Sequence, residues 1–511
     1  MGKIIELRDL LAKAEMIRST LGFRLDEAQC EGLNDVTYVV KNGGMSVGVG
    51  PPGTGKTVVF NLAQRELFDA LDDYEVMIYV APTNRLVEDC AVRTLAHLLS
   101  KGFEKSELRE FIRAYGSRFK AEPPTRDVRI ILTTPYQPGM LRDLLETKRT
   151  VHLMIDEAST TPWHEPFIEL AMSMVKAIRE KRLEWLHSFS VIGDPMQAVV
   201  EEYKPWEKLE MLIVGRVLMA SLPQDERSLV REDLSKIFEL AKKYAPSVGV
   251  KYFFLNNSYR IPKPTELLVS IPFYSGLLKG VEEYKRRLKG IRREEPGFKS
   301  KVLERCKHLK EKRLVEVLDH ALNSQIPVVY LRDKGLAYAY RVRGEPVYRR
   351  LPEIEELDLF RSKLACEVAA YFLASTIDSV KIEVLTPYVE MKTQIGLMLW
   401  QLMGELKEEL RQRIKVSTIH SALGSEADIV VVAMGKEYGE YGDKKTIYFQ
   451  TPELVNVQFS RHRRLLVVIG NIKRLAKGFE KVDYAKNLVR LTEALEELRK
   501  QELIKEVTVT I

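Results

Sequence analysis

The chain has 511 residues, 45% of them hydrophobic and 30% charged, which is the composition of a folded protein with two or three cores and not of a disordered one. Its net charge of +7 only weakly favours a polyanionic partner over an ordinary basic enzyme. It lacks an apolar stretch of membrane-spanning length, a signal-peptide pattern and any CxxC pair, which predicts an intracellular, soluble protein, cytoplasmic or nucleoid-associated, with reduced cysteines and without a zinc site.

Short β-branched runs alternate with longer amphipathic segments along the chain, a pattern typical of parallel sheets covered by helices. An N-terminal helical segment over residues 1–24 comes first, and the alternating pattern then occurs twice. The predicted strands are Met45–Val49, Val76–Val80, Val128–Leu132, Val151–Ile155 and Phe189–Ile192 in the first half, and Tyr252–Leu255, Val328–Leu331, Ile382–Leu385, Ile414–Val416, Ile429–Val432 and Leu465–Ile469 in the second. Prolines in a polar stretch mark a join near residues 245–262. We therefore expect two tandem α/β domains, over residues 25–250 and 251–511.

The strongest motif follows the first predicted strand and precedes a helical pattern; it is GPPGTGKT, which ends at Lys56 and Thr57. Glycines let backbone N–H groups curl around phosphate oxygens, and the helix N-terminus adds positive potential. Lys56 is expected to reach the β- and γ-phosphates of ATP, and Thr57 to ligate Mg²⁺. The residues predicted to bind nucleotide in this loop are Gly50, Pro52, Gly53, Thr54, Gly55, Lys56 and Thr57.

Two adjacent carboxylates, Asp156 and Glu157, follow the strand run Val151–Ile155. Asp156 is expected to hold the Mg²⁺ shell and Glu157 to polarise the attacking water; a solvated pair at a strand end is the alternative. A further strand leads into GDPMQ, whose Gln197 can lie between the γ-phosphate and that water. These motifs fit many P-loop NTPases, including nucleotide or small-molecule kinases, so the second half of the chain must discriminate.

Arginines follow in two segments of the second half, NSYR ending at Arg260 and QFSRHRR ending at Arg464. An arginine brought to the γ-phosphate from a separate domain stabilises the charge of the transition state and makes hydrolysis depend on domain closure. Arg260 and Arg461 are predicted to have this role. For Arg463 and Arg464, a solvated basic turn is an equally good interpretation.

In order and text, these motifs resemble superfamily 1 helicases, and within them the up-frameshift and senataxin-like group of subfamily 1B. Further segments carry the resemblance: LDEAQ, VAPTN, TTP, FYSGL, TPY and STIHSALGSE, which extend it over residues 25–471. It implies two RecA-like P-loop domains closing on one ATP, with a single strand of DNA or RNA lying across both. It also implies a monomeric helicase or translocase that moves 5′→3′.

The resemblance assigns roles to individual residues as well. Gln29 matches the glutamine that holds the adenine edge, Glu426 matches the glutamate that reaches the ribose, and Tyr259 joins the nucleotide-binding residues. The residues matching positions that contact nucleic acid are Pro82, Thr83, Asn84, Thr134, Pro387, Tyr388, Ser417, Thr418 and His420. Backbone and hydroxyl groups at strand ends bind phosphates without reading bases, so preference for DNA or RNA stays open. Tyr388 can either stack on a base or belong to the core.

The chain also departs from this family's pattern. Few residues precede LDEAQ, so the β-barrel that many relatives carry there is not expected. Gln458 and His462 stand where relatives commonly have alanine, and Leu423 where they have glutamine, which makes the nucleic-acid edge less predictable.

Two insertions are expected, a short basic one over residues 91–127 and a basic helical one at about 280–325. The second is either a solvated face or a contact to a strand or duplex junction made by Lys285, Arg286 and Arg287. Residues 336–350 alternate like a hairpin without an evident role. The function that best accounts for the sequence is an ATP-dependent helicase or translocase. The alternative is an ATP-switched clamp, or a ribonucleoprotein remodeller, without processive unwinding.

Overall fold

The computed structural model describes most of the chain, and its described residues form two compact units. The described residues are 4–19, 24–120, 125, 127–137, 149–159, 186–197, 225, 236–292, 296–307, 309, 311–323, 326–333, 355–403, 411–422, 425–435, 453–480 and 489–509. The first unit ends at Asn257 and the second begins at Ser258, except that Met196 and Gln197 group with the second. The predicted hairpin at residues 336–350 lies outside the described residues.

A seven-stranded sheet, parallel in every pairing, forms the centre of the first unit. Its strands are β1 (Gly44–Val49), β2 (Glu75–Val80), β3 (Ile112–Ala114), β4 (Ile130–Thr133), β5 (Thr150–Ile155), β6 (Leu186–Gly193) and β7 (Val250–Phe254). They lie in the order β3-β4-β2-β5-β6-β1-β7. The described helices of this unit are α1 (Leu7–Arg18), α2 (Glu27–Asn42), α3 (Lys56–Leu67), α4 (Asn84–Lys101), α5 (Lys105–Phe111) and α6 (Lys236–Tyr244), with a 3-10 turn at Ala245–Val248.

Strand β2 shows why this sequence forms a sheet buried on both faces. Met77 and Tyr79 pack into one apolar cluster, and Val76, Ile78 and Val80 into another. Since successive side chains of a strand point to opposite faces, an uninterrupted apolar run needs a helical layer on each side. Polar residues lie at the carboxyl ends of the central strands of this sheet.

A six-stranded parallel sheet forms the centre of the second unit. Its strands are β10 (Val328–Asp333), β11 (Ile382–Thr386), β12 (Ile414–Thr418), β13 (Ala427–Ala433), β14 (His462–Gly470) and β15 (Ile504–Val509), in the order β12-β11-β13-β14-β10-β15, beside a small ribbon of β8 (Asn257–Ser258) and β9 (Lys279–Gly280). The described helices are α7 (Leu267–Tyr274), α8 (Tyr284–Leu288), α9 (Pro296–Arg305), α10 (Lys312–Leu322), α11 (Glu355–Ser375), α12 (Val389–Met403), α13 (Glu453–Phe459), α14 (Ile472–Phe479) and α15 (Leu491–Lys500), with a 3-10 turn at His420–Ala422.

The two units are parallel sheets flanked by helices, in tandem, which agrees with the predicted α/β fold class. One strand was grouped incorrectly from the sequence: Tyr252–Leu255 was assigned to the second half, but β7 pairs with β1 and completes the first sheet. An apolar run does not specify its neighbours, because the hydrogen bonds of a parallel pair join residues far apart in sequence. The short β3 and the mixed-polarity β15 were not predicted at all.

The two expected insertions are largely integrated into their domains. Within residues 91–127, the chain completes α4, forms α5 and supplies the edge strand β3. In the basic stretch, Tyr284, Leu288 and Val302 are buried in the core cluster of the second unit. Lys285 and Arg286 of the same stretch are exposed, whereas Arg287 is partly buried.

Three further expectations concern metals, membranes and thiols. Across the described part of the chain, no helix is long and apolar enough to cross a membrane. Within the same residues, no group of three or more His, Cys, Asp or Glu side chains is arranged to hold a metal ion. All four cysteines are free, as predicted, and three of them are buried.

Candidate nucleotide site and arginine cluster

The loop between β1 and α3 has the shape that its glycines predict. Gly55 caps α3 in the left-handed region at φ +83° and Gly53 has φ +75°. At Gly50, a Cβ atom would lie 2.2 Å from Cγ of Lys56, so only glycine fits beside the lysine stem. The Lys56 ammonium donates a hydrogen bond to the Gly50 carbonyl at 3.0 Å. The loop and lysine therefore form the cradle that a triphosphate requires.

The predicted catalytic carboxylate lies beside this lysine. Glu157 Oε1 is 3.3 Å from Lys56 Nζ, and the two side chains are 20% and 7% exposed. Glu157 also has φ +46°, which is uncommon for a residue other than glycine and typical of functional sites. Its N–H donates to Asp156 Oδ1 at 2.8 Å, which holds the turn after β5 in this conformation.

Asp156 is fully buried and joins two other elements. Its Oδ2 accepts hydrogen bonds from Thr57 Oγ1 at 2.6 Å and from the Tyr79 hydroxyl at 2.8 Å. Burial, and next the charge of Glu157, raise the pKa of the Asp156 carboxyl. Thr57 and Asp156 thus present hard oxygen ligands side by side, which fits Mg²⁺; a bound cation would favour the ionised carboxylate.

Tyr79 is a site residue that sequence reasoning missed. It lies in β2, one strand away from Asp156, and both burial and Asp156 raise the pKa of its hydroxyl. A tyrosine inside an otherwise apolar strand was the available signal, because a buried hydroxyl needs a hydrogen-bond partner. Tyr79 orients the carboxylate oxygen that also binds Thr57.

Gln29 lies behind the phosphate loop. Its Nε2 donates to the Thr54 carbonyl at 3.0 Å, and its Oε1 accepts from the Asp26 N–H at 3.3 Å as part of the capping box of α2. A Cβ atom on Gly55 would lie 2.7 Å from this amide nitrogen. Gln29 therefore connects the start of α2 to the loop, and its contact with adenine stays a prediction.

The other predicted residues of the first half lie at strand ends. Thr83 is exposed and caps α4 by accepting the Leu86 N–H at 3.3 Å, next to the partly buried Pro82. Asn84 donates to Ser117 Oγ at 2.9 Å, and Thr134 is buried after β4. Gln197 is buried and groups with the second unit. Contacts of these residues with nucleic acid or water remain predictions.

In the second unit, Glu426 forms ion pairs with arginines from two segments of the chain. Its Oε2 lies 3.0 Å from Arg260 Nε, and its Oε1 forms an ion pair with Arg463. Burial disfavours the carboxylate, but Arg260 and Arg463 outweigh it and lower the pKa of Glu426. Arg463 therefore belongs to a charged cluster, and Arg464 pairs with Asp428 at 2.8 Å. Both arginines lie in β14 and not in a turn, and Arg463 is 53% exposed.

The residues next to this cluster in the sequence differ in burial. Arg461 is 1% exposed and Tyr259 is 42% exposed. His462 lies 2.7 Å from Thr265 Oγ1, and burial, followed by Arg287 and Arg260, lowers its pKa to about 3. His462 is therefore a neutral core residue at neutral pH.

Arg287, for which the sequence left a solvated face or a nucleic-acid contact open, instead bonds to the segments that carry the arginine cluster. Its guanidinium donates to the backbone carbonyls of Tyr259 at 2.6 Å and Arg463 at 3.0 Å, and also to that of Arg260. It pairs in addition with Glu282 at 2.8 Å, and its side chain is only 13% exposed. Arg287 therefore stabilises the structure by connecting the NSYR and QFSRHRR segments.

We expect Arg287→Lys to lower the free energy of unfolding by about 1.5–3 kcal/mol, because an ammonium cannot replace a planar donor that reaches several acceptors. Arg286→Lys is the matched control, since Arg286 is 83% exposed and has only a 3.5 Å pair with Glu282. Chemical denaturation of both variants measures the difference. Equal stability of the two variants would contradict this connecting role of Arg287.

The remaining predicted contacts surround the ends of β11 and β12. Pro387 is buried and Tyr388 is half-buried against the core, an arrangement that supports a packing role. Ser417 is buried and donates to Glu383 at 2.7 Å. Thr418 donates to Ser421 Oγ at 3.0 Å, and His420 is exposed. Thr418 is the last residue of β12, and His420 begins the turn that follows it.

Two protein-family models match the chain, each over part of its length. The model described as DEAD/DEAH box helicase matches residues 27–186, and the one described as AAA domain matches residues 235–473. A search of the curated proteins found no match.

Several solved structures are similar to the chain at low identity. One is the Arterivirus nonstructural protein 10 helicase with DNA, at 11% identity and TM-score 0.35, covering 88% of this chain and 65% of that one. Another is S. cerevisiae Dbp5 bound to RNA and ADP BeF3, at 11% identity and TM-score 0.39, covering 98% and 93%. A third is the DUF1998 helicase MrfA bound to DNA, at 12% identity and TM-score 0.43, covering 97% and 57%. The chain thus spans less than two thirds of the arterivirus helicase and of MrfA. The DEAD/DEAH box helicase match agrees with a helicase superfamily for this chain, and neither family match selects a subfamily.

Proposed function

We propose that this protein is a nucleic-acid-dependent ATPase that translocates 5′→3′ along single-stranded DNA or RNA, as a superfamily 1B motor of the up-frameshift and senataxin-like group. The ATPase part of this proposal rests on one observation: the ends of β1 and β5 bring together Lys56, Thr57, Asp156 and Glu157. The names of the matched helicase family and of the DNA- and RNA-bound neighbours agree with a nucleic-acid partner.

The proposed roles follow from the chemistry of the side chains. Mg²⁺, when bound with ATP, neutralises charge on the phosphates. Thr57 and Asp156 would hold the cation, Lys56 would bind the β- and γ-phosphates, and Glu157 would orient and deprotonate the attacking water. We propose that Arg260 and Arg461 stabilise the transition-state charge and that Gln197 senses the γ-phosphate.

A clamp that uses ATP only to switch its affinity for nucleic acid is the second candidate. The arginine cluster around Glu426 fits a clamp as well as a motor. Charge pairs can respond to the nucleotide state without processive movement. A small-molecule kinase gives no account of that cluster.

The test is the ATPase rate with and without oligothymidylate and polyuridylate. We expect at least one of the two polynucleotides to raise the rate clearly above the rate measured without it. An equal rate in all conditions overturns a nucleic-acid-dependent ATPase. Strand displacement from 5′-tailed but not 3′-tailed duplexes supports a 5′→3′ motor, whereas stimulation without displacement of either duplex favours the clamp.

A further inference from the structure

Glu383 is a buried acid in the middle of β11 that none of the sequence motifs includes. Its neighbours in the strand, Ile382 and Val384, pack into the main apolar cluster of the second unit. Glu383 therefore points to the opposite face of the sheet, where it is 2% exposed. A carboxylate in such a place is tolerated only when hydrogen bonds and charges satisfy it.

Two serines and a lysine satisfy the Glu383 carboxylate. Ser417 donates to Oε1 at 2.7 Å, Ser425 donates to Oε2 at 2.9 Å, and Lys415 Nζ lies 3.2 Å from Oε1. Lys415 is the β12 residue in register with Glu383, and Ser417 lies two residues further on the same face. Ser425 comes from beyond the loop that follows β12.

The two serines flank that loop, since Ser417 lies in β12 before it and Ser425 lies after it. The 3-10 turn His420–Ala422 lies between them, and the Ile419 N–H donates to the Thr386 carbonyl at 3.0 Å. The Ser425 hydroxyl also lies 2.8 Å from the Ala422 carbonyl, but it has one hydrogen and an ionised carboxylate is the stronger acceptor. One carboxylate thus closes the loop by binding both of its ends.

The closed loop separates two groups of proposed contacts. Thr418 and His420 lie within it, where the resemblance places nucleic-acid contacts. Glu426 follows Ser425 directly and pairs with Arg260 and Arg463. A shift of the loop ends would therefore move both groups relative to each other.

We propose that Glu383 is a positioning residue that couples nucleic-acid binding to ATP hydrolysis, by holding the loop ends Ser417 and Ser425 at a fixed separation. The inference rests on the proposed function. Coupling between two sites needs a connection that keeps a defined arrangement, and a buried carboxylate with two hydroxyl donors is such a connection. Glu383 acts through the serines, and Ser425 is the one whose removal leaves all proposed ligand contacts intact.

The test compares Ser425→Ala with Ser425→Thr, which keeps the hydroxyl, in the full-length chain. For Ser425→Ala, we expect the oligothymidylate or polyuridylate concentration that half-saturates ATPase stimulation to rise about tenfold, equivalent to about 1.4 kcal/mol. The rate without polynucleotide should remain that of the wild-type protein, and the thermal midpoint of unfolding should fall by only a few degrees, because one buried hydrogen bond is lost. Ser425→Thr should restore most of the affinity, and Glu383→Gln, which keeps one acceptor oxygen, should give a smaller rise than Ser425→Ala.

Two results would overturn the coupling role while leaving the proposed function intact. One is an unchanged half-saturating concentration in Ser425→Ala. The other is a parallel fall of the basal rate, the stimulated rate and the thermal midpoint, which would make the carboxylate a purely structural group. If the wild-type protein itself shows no stimulation by either polynucleotide, the proposed function fails, and the coupling role fails with it.

Discussion

The Glu157→Gln protein is expected to bind ATP as the wild-type protein does and to hydrolyse it about 10²- to 10⁴-fold more slowly, the range over which a general base contributes. Glutamine keeps the size of the side chain beside Lys56, which lies 3.3 Å from the carboxylate, but it cannot accept a proton from water. Single-turnover hydrolysis and equilibrium binding of ATP, measured separately, give the two quantities.

Lys56→Ala is the informative contrast to this substitution. It removes the ammonium that lies against the Gly50 carbonyl and that we expect on the β- and γ-phosphates. Binding and hydrolysis should therefore both be lost, whereas Glu157→Gln should lose hydrolysis alone. Turnover like that of the wild-type protein in Glu157→Gln would remove Glu157 from the catalytic assignment.

A large effect on stability is expected from Asp333→Ala in the second unit. Asp333 and Arg361 form an ion pair at 2.8 Å in which neither side chain is exposed. Arg361 also donates to the Met434 carbonyl at 3.2 Å, so it joins β10 to the end of β13. Removal of the aspartate leaves a buried charge without its carboxylate, which costs about 3–5 kcal/mol.

Asp378→Ala is the matched control, because the same kind of pair joins Asp378 to Arg413 at 3.3 Å but the aspartate is 76% exposed. Its loss should cost less than about 1 kcal/mol. Calorimetry should therefore show a thermal midpoint roughly 10 °C lower for Asp333→Ala and nearly unchanged for Asp378→Ala. Similar midpoints in the two variants would be incompatible with a strong buried pair. Asp333→Leu combined with Arg361→Met should recover much of the loss, since well-packed apolar side chains often replace such pairs at little cost.

Local features of the fold were predicted from the sequence more accurately than long-range ones. Five strands of the first sheet were located to within a few residues, since an apolar run between helical patterns is a local signal. Strand β7 was placed in the wrong half of the chain, because the neighbours of a strand depend on the whole sheet. For Arg287 the sequence left a solvated face or a nucleic-acid contact open, because charge patterning does not indicate which cation turns inward to bind carbonyl groups.

The sequence by itself determined the phosphate loop, because Gly50, Gly55 and Lys56 are contiguous and their backbone requirements are local. Only the tertiary structure decided the partners that shape the rest of the site. Tyr79 reaches Asp156 across 77 residues, and Arg287 reaches Arg463 across 176. Hydrogen bonds of that kind depend on which strands become neighbours and on which side chains turn inward, and neither is encoded in the spacing of a motif.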